Sequence, residues 1–231
     1  MSRYYRKQCC FSAVDDPYSK THIRASLDPQ PSSAEDDTAG LAGLVGASPE
    51  TASRVRASLP VRPVPAAVLV PLVERSNGLT VLLTERAQTL RDHAGQISFP
   101  GGRIEADDQD AWHAALREAH EEIGLISDWV EFAGYLPDHI VITGFRVTPV
   151  VGFVSPDYQL RIAEAEVHDV FEVPLKFILD AANHKSRRRT LAGLSVEVHD
   201  IPYGGRNIWG ATAGMLLTLR RMLQTQRIPV Q

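Results

Sequence analysis

Cysteine is nearly missing from this chain: its 231 residues hold two, adjacent at Cys9 and Cys10. Neighbouring cysteines can neither build a disulfide framework nor supply the spaced thiolates of a zinc site, so a reducing, cytoplasmic setting is expected. Long apolar runs are missing as well. The longest, 66–73, tolerates Pro71 as an interruption and falls far short of the roughly 20 residues a membrane helix needs, so no membrane partner is expected. Arg3, Arg6 and Lys7 lie near the start without an apolar core behind them, so a secretory signal is not expected either. Charge of one sign is also lacking. Lys+Arg 24 against Asp+Glu 28 leaves a net −4, which gives no global pull toward nucleic acid or an anionic bilayer. Phosphate binding, if present, must be local, and a small anionic substrate suits this balance.

What remains is ordinary globular material, 44% hydrophobic and 23% charged, enough for one domain of good size with an appendage. Residues 1–60 are the appendage. The segment 28–46 is rich in Pro, Ser, Asp, Gly and Ala with no helix or strand period and reads as a linker or arm. One helix is expected within the arm at 48–59, capped by Ser48, with Pro49 at its first position and Glu50 at the positive end of its dipole. The arm is a candidate for mediating a homodimer. The domain, 61–231, opens with short aliphatic or β-branched runs at 66–73 and 79–84, joined by the turn Ser76-Asn77-Gly78, and continues with runs at 147–154 and 195–201. Helices are expected at 174–182 and 209–223, the latter burying Met215, Leu216, Leu219, Met222 and Leu223. The sum is a mixed sheet flanked by helices, an α/β or α+β layered domain.

The stretch 99–124 stands out chemically. The turn Phe99-Pro100-Gly101-Gly102 feeds a helix expected at 109–123, capped by Asp107 or Asp108, with Asp110 in its first turn and Gly124 as its left-handed stop. Trp112, Leu116, Ala119 and Ile123 would form its core stripe. Glu118 and Glu122 fall one turn apart on a neighbouring face, with Glu121 beside them, and Ala111, Ala114 and Ala115 would leave room there for a ligand. Like charges at this spacing cost a few tenths of a kcal/mol per pair. Carboxylates in a last turn also oppose the helix dipole at about 0.3–1 kcal/mol each. A solvated helix face is the ordinary explanation of such a cluster. A divalent cation would remove both penalties, and hard oxygen donors favour Mg²⁺ or Mn²⁺. Arg117 could brace one glutamate or contact a phosphate oxygen.

The run Gly102-Arg103-Ile104-Glu105, followed by Arg117-Glu118-Ala119-His120-Glu121-Glu122-Ile123-Gly124-Leu125, resembles the Nudix box. The helix end matches in full. The front differs by one residue, because the acid six places after Gly102, Asp108, lies nine rather than eight before Arg117. A longer front is expected in the coenzyme A pyrophosphatase branch, and an upstream segment also resembles that branch. It reads Leu82-Leu83-Thr84-Glu85-Arg86-Ala87, and then Arg91, Gly95 and Phe99-Pro100-Gly101-Gly102, each after three variable residues. Downstream, Thr143-Gly144-Phe145, Thr148-Pro149-Val150, Glu166-Val167 before Pro174-Leu175, and Trp209-Gly210-Ala211-Thr212-Ala213 are similar to it too.

This resemblance implies a Nudix α/β/α sandwich that hydrolyses the pyrophosphate bond of coenzyme A or acyl-coenzyme A with Mg²⁺ or Mn²⁺. It implies metal ligation by Glu118 and Glu122, then Glu121, with the Gly102 carbonyl closing the shell. Glu121 and Glu166 compete for general base. Arg86 and Arg91, with Gly95 and Gly101, would hold the nucleotide phosphates; otherwise the two arginines are exposed charges. The alternatives are a Nudix pyrophosphatase of other nucleoside diphosphate derivatives or nucleoside triphosphates, and a non-catalytic Nudix-fold binding module, against which the intact glutamates speak. The basic run 185–189 reads as a solvated loop in preference to a 3′-phosphate clamp. Trp112 and Trp209 read as core, although an aromatic could stack on adenine, and His120 and His184 as surface residues.

Overall fold

In the computed structural model, residues 18–32, 49–57, 62–90, 93–141, 143–191 and 194–225 are described. In chain order the elements are α1 (Lys20–Ser26), α2 (Pro49–Ala57), β1 (Val64–Arg75), β2 (Gly78–Arg86), β3 (Ile97–Ser98), β4 (Gly101–Arg103), α3 (Ala111–Ile123), β5 (Val130–Tyr135), β6 (His139–Ile140), β7 (Phe145–Val154), β8 (Val167–Pro174), α4 (Leu175–Leu179), β9 (Lys185–Leu191), β10 (Leu194–Tyr203), β11 (Arg206–Trp209) and α5 (Gly210–Thr225). The main sheet runs β3-β2-β1-β7-β5, with β4 on β1, β6 on β7 and β8 on β2. Its centre is a parallel pair, β1 with β7, in register from Val64↔Phe145 to Val73↔Val154. The remaining pairs are antiparallel, so the sheet is mixed.

Alternation along β1 fixes the layers, because successive side chains in a strand point to opposite faces. Ala67, Leu69 and Val73 join Ala111, Ala114, Ala115, Ala119 and Ile123 of α3 in one core. Ala66, Val70 and Leu72 join the other, where Ile23, Leu175, Ile178 and the stripe Met215, Leu216, Leu219 and Leu223 converge. Helices thus cover both faces of a mixed sheet, the α/β/α layering expected, and α5 buries the expected stripe with only Met222 left half-buried. A second sheet, β11-β10-β9, attaches through Ile201 and Ile208, both at 0% exposure. The expected hairpin is β1–β2, with Arg75↔Gly78 closing it.

Three local expectations change. The helix expected at 174–182 stops after Leu179, and a single 3-10 turn, Ala181–Asn183, follows because the Asp180 side chain accepts from the Ala182 N–H and breaks the helical run. The basic run 185–189 is not a loop but part of edge strand β9, paired to β10 from Leu194↔Leu191 to Asp200↔Lys185; lysine and arginine suit an edge because they discourage further pairing. His184 is half-buried, its ring 2.6 Å from the Ile178 carbonyl, and burial lowers its pKa. The helix expected at 48–59 is α2; Ser48, its expected cap, lies outside the described residues.

The arm also contributes a helix that periodicity did not reveal. Ser19 caps α1 by accepting from the His22 N–H at 3.2 Å. Asp28 and Tyr135 exchange backbone hydrogen bonds of 3.1 and 2.8 Å. Between these two anchors Ile23 reaches 0% exposure in the larger core. Deleting such a side chain to alanine typically costs about 3 kcal/mol, so Ile23→Ala should lower the urea midpoint by a corresponding amount. A change within about 0.5 kcal/mol, the range of surface substitutions, would show that α1 is not part of the core.

Candidate functional site

Helix α3 carries the site and is built to stop where it does. Asp110 is the cap, not Asp107 or Asp108: it accepts from the His113 N–H at 2.9 Å and also meets the His113 ring at 2.8 Å. At the far end Gly124 takes φ +70, and its N–H reaches the His120 carbonyl at 2.9 Å while the Leu125 N–H reaches Ala119 at 3.3 Å. The segment that follows β7 folds back over this end. Arg161 and Ala163 donate backbone N–H groups to the Ile123 and Glu122 carbonyls at 2.8 and 2.9 Å. The same return brings exposed Glu166 beside the glutamates of the helix, close enough for its charge to raise the pKa of both Glu118 and Glu122.

The alanines do not make room for a ligand. Ala114, Ala115 and Ala119 have 0% exposure against β1, and their small size lets the helix lie close to the sheet. Rotating that face inward leaves Trp112 and Leu116 half-buried and takes Glu122 down to 4% exposure. Trp112 packs edge-on against Phe132 with ring centres 5.3 Å apart. Trp209 is also half-buried rather than core, with Arg187 over its ring at 5.7 Å.

The three helix carboxylates therefore have different environments. Glu122 accepts from the Gly101 N–H at 3.2 Å and has Arg86 Nη1 at 3.9 Å. Burial pushes its pKa up to about 7, against the opposing pull of that N–H and of Arg86. Glu118 lies against the Gly102 backbone so closely that a Cβ added there would meet its Oε1 at 2.4 Å. Its pKa is raised too, first by burial, although Arg117 opposes this. Glu121 is exposed and points to Arg117 at 3.2 Å. Gly101, at φ +156, sits so near β1 that a Cβ would meet the Ala67 carbonyl oxygen at 2.4 Å, so only glycine allows the turn to approach.

Arg117 is the hub that keeps these charges together. Its Nε and Nη2 each donate to the Asp108 carboxylate at 3.0 Å, Nη2 donates to the Arg103 carbonyl at 2.9 Å, and Nη1 reaches Glu118 at 3.1 Å and Glu121 at 3.2 Å. Asp108 is free to do this because the turn Glu105–Asp108 aims it back at the helix rather than at the helix N-terminus, and it also accepts from the Glu105 N–H at 2.8 Å. The Arg117 hydrogen bonds hold the Asp108 carboxyl below its usual range. Its spacing in the box was the available signal for this role, which the helix-cap reading obscured.

The upstream segment meets the helix at Arg86. Its backbone N–H donates to Gln96 at 3.0 Å and its carbonyl accepts from Gly95 at 3.1 Å, which closes the loop between β2 and β3. Gly95 adopts φ +68 there. Arg91 lies outside the described residues.

Residues 63–194 match the family model described as NUDIX domain. The chain belongs to the Nudix family. Proteins from Escherichia coli (strain K12) and Enterobacter sp. (strain 638), each described as uncharacterized Nudix hydrolase NudL, are 44% and 43% identical over 155 residues, covering 67% of this chain and 80% of each relative. Among solved structures, the MutT protein from Methanosarcina mazei Go1 is 19% identical with TM-score 0.47, over 73% of this chain and 99% of that one. The family supports Nudix hydrolase activity, and Nudix hydrolases generally use divalent metal ions. Among the described residues no helix is long and apolar enough to cross a membrane.

Among the described residues, no three His, Cys, Asp or Glu side chains are gathered as a ready metal cluster. Glu118 and Glu122 nevertheless fit a hard divalent cation that takes one or two carboxylates and completes its shell with water and substrate phosphate. Both carboxylates resist ionisation where they stand, first because they are buried; the charge of Glu118 adds to the cost at Glu122, and that of Glu166 adds to the cost at both.

The pH consequence has a definite sign. Glu122 keeps its proton in the folded state up to about pH 7, while the unfolded chain releases it near 4.5. Folding stability in chelator therefore falls as pH rises from about 4.5 to 7, by about 3 kcal/mol, and Glu118 adds to the same trend. Glu122→Gln should lack most of this slope and be the more stable protein at pH 8 in urea titrations. Equal wild-type and variant slopes would mean Glu122 is not a buried charge.

Proposed function

We propose that this Nudix hydrolase cleaves the pyrophosphate bond of coenzyme A or acyl-coenzyme A, giving 4′-phosphopantetheine and adenosine 3′,5′-bisphosphate. The observation that carries the reading is the meeting of its two motifs: Arg86 of the upstream segment approaches Glu122 of the Nudix helix at 3.9 Å. A residue that would choose the substrate thus adjoins one that would hold the metal. The family supports hydrolysis; the coenzyme reading rests on the upstream segment, whose fixed positions all fit.

Glu118 and Glu122 would hold Mg²⁺ or Mn²⁺, with the Gly102 carbonyl as a further oxygen donor. A bound divalent ion would neutralise diphosphate charge and acidify a water molecule. The protein's own groups do the remaining work. Arg117, fixed by Asp108, orients Glu118 and keeps Glu121 in place. Arg86, with Arg91 and the backbone at Gly95 and Gly101, would bind the diphosphate. Glu166 and Glu121 are the candidates to accept the proton of the attacking water. Glu166 is favoured because its charge acts on both Glu118 and Glu122, whereas Glu121 is tied to Arg117 in solvent.

Incubation with Mg²⁺ and a panel of coenzyme A, ADP-ribose, NADH and nucleoside triphosphates tests the substrate. Release of adenosine 3′,5′-bisphosphate from coenzyme A, with the others intact, is the expected result; preferential turnover of another compound would replace the coenzyme reading. Glu122→Gln should lower kcat by about a hundredfold or more, and near-normal turnover would remove Glu122 from the metal site. Loss of the general base is worth about 10²–10⁴-fold. Glu166→Gln should show that loss and Glu121→Gln much less, the reverse order assigning the base to the helix.

A further inference from the structure

Arg86 has a fixed backbone and an unsettled side chain. Its N–H and carbonyl are both paired across the loop between β2 and β3, and it stands opposite Val167 where the β2–β8 register shifts between Glu85 and Arg86. Its Nη1 lies 3.9 Å from Glu122 Oε1, too far for a hydrogen bond. Among the described residues, no acceptor serves its buried Nε. The guanidinium therefore faces the Glu122 carboxylate through space and offsets its charge only in part, without committing its donors to it. Such a planar fork is suited to phosphate oxygens. Exposure of 29% leaves part of the side chain open to a ligand.

A cation held by Glu118 and Glu122 would bring positive charge to the carboxylate that Arg86 now faces, and the two cations would repel. We propose that Arg86 has two positions: counter-ion to Glu122 before metal binds, and, once metal takes that carboxylate, a forked ligand of the substrate diphosphate that gives Nε its missing acceptor. This rests on the metal reading above and adds a coupling to it. Metal alone binds weakly because it must displace a charge already in place. Metal and diphosphate together bind cooperatively, because the phosphate receives the displaced guanidinium, and the coupling is reciprocal.

Mn²⁺ binding followed by electron paramagnetic resonance of the free ion tests this in the full chain, with ADP as the diphosphate probe. Arg86→Gln should bind Mn²⁺ alone at least about threefold more tightly than wild type, and at saturating Mn²⁺ should bind ADP at least about tenfold more weakly. Arg86→Lys should keep wild-type Mn²⁺ affinity, because it retains the charge, yet lose most of the ADP affinity, because it lacks the fork. If Glu122→Gln weakens Mn²⁺ binding while Arg86→Gln leaves it unchanged or weaker, the two-position role is overturned and the metal site stands. If wild type and Glu122→Gln bind Mn²⁺ equally, the metal reading fails and this role fails with it.

Discussion

A carboxylate removed from water costs several kcal/mol unless hydrogen bonds or opposite charge replace its hydration. Glu122 is such a group, at 4% exposure under the turn that begins at Gly101. Its compensation is incomplete: one backbone N–H at 3.2 Å and a guanidinium at 3.9 Å. The incomplete compensation keeps its pKa near 7. A fold selected for stability alone would place an apolar side chain there. The surrounding architecture makes sense as the means of holding that charge in a defined place.

Two kinds of small residue make the position reachable. Alanines on the inner face of α3 let the helix settle onto β1, and Gly101 and Gly102 let β4 press between strand and helix. A larger residue at either glycine would strike the Ala67 carbonyl or the Glu118 carboxylate. The rest of the charge is distributed by Arg117, which joins Asp108, Glu118 and Glu121 through charge-assisted hydrogen bonds. The like-charge repulsion evident in the sequence is thus offset locally at Glu118 and Glu121. It is left largely standing at Glu122, where a cation would be useful.

The site was more legible in the sequence than its surroundings. Glu118, Glu122 and the glycine turn stood out because their spacing has electrostatic and steric consequences within a single helix and its preceding loop. Asp108 is ambiguous in the sequence, since a cap and a brace are both local options for an aspartate before a helix, and only the turn at Glu105 decides between them. The alanines are ambiguous for a similar reason: small size signals close approach, but not whether protein or ligand does the approaching. Strand β9 looked like a solvated loop because an edge strand rich in arginine carries no apolar alternation.

By itself the sequence determined the mixed layered fold, the start of the chemistry at the Phe99-Pro100-Gly101-Gly102 turn, the helix stop at Gly124 and the Nudix family, because each is written in neighbouring residues whose propensities and spacing act over one or two turns. Tertiary structure alone decided which glutamate is buried, that Arg86 faces it, that Glu166 returns to the helix end and that Ile23 of the arm enters the core. These outcomes depend on contacts between residues tens of positions apart. Their energies are set by burial and by the charges that burial brings together, and no local pattern encodes them.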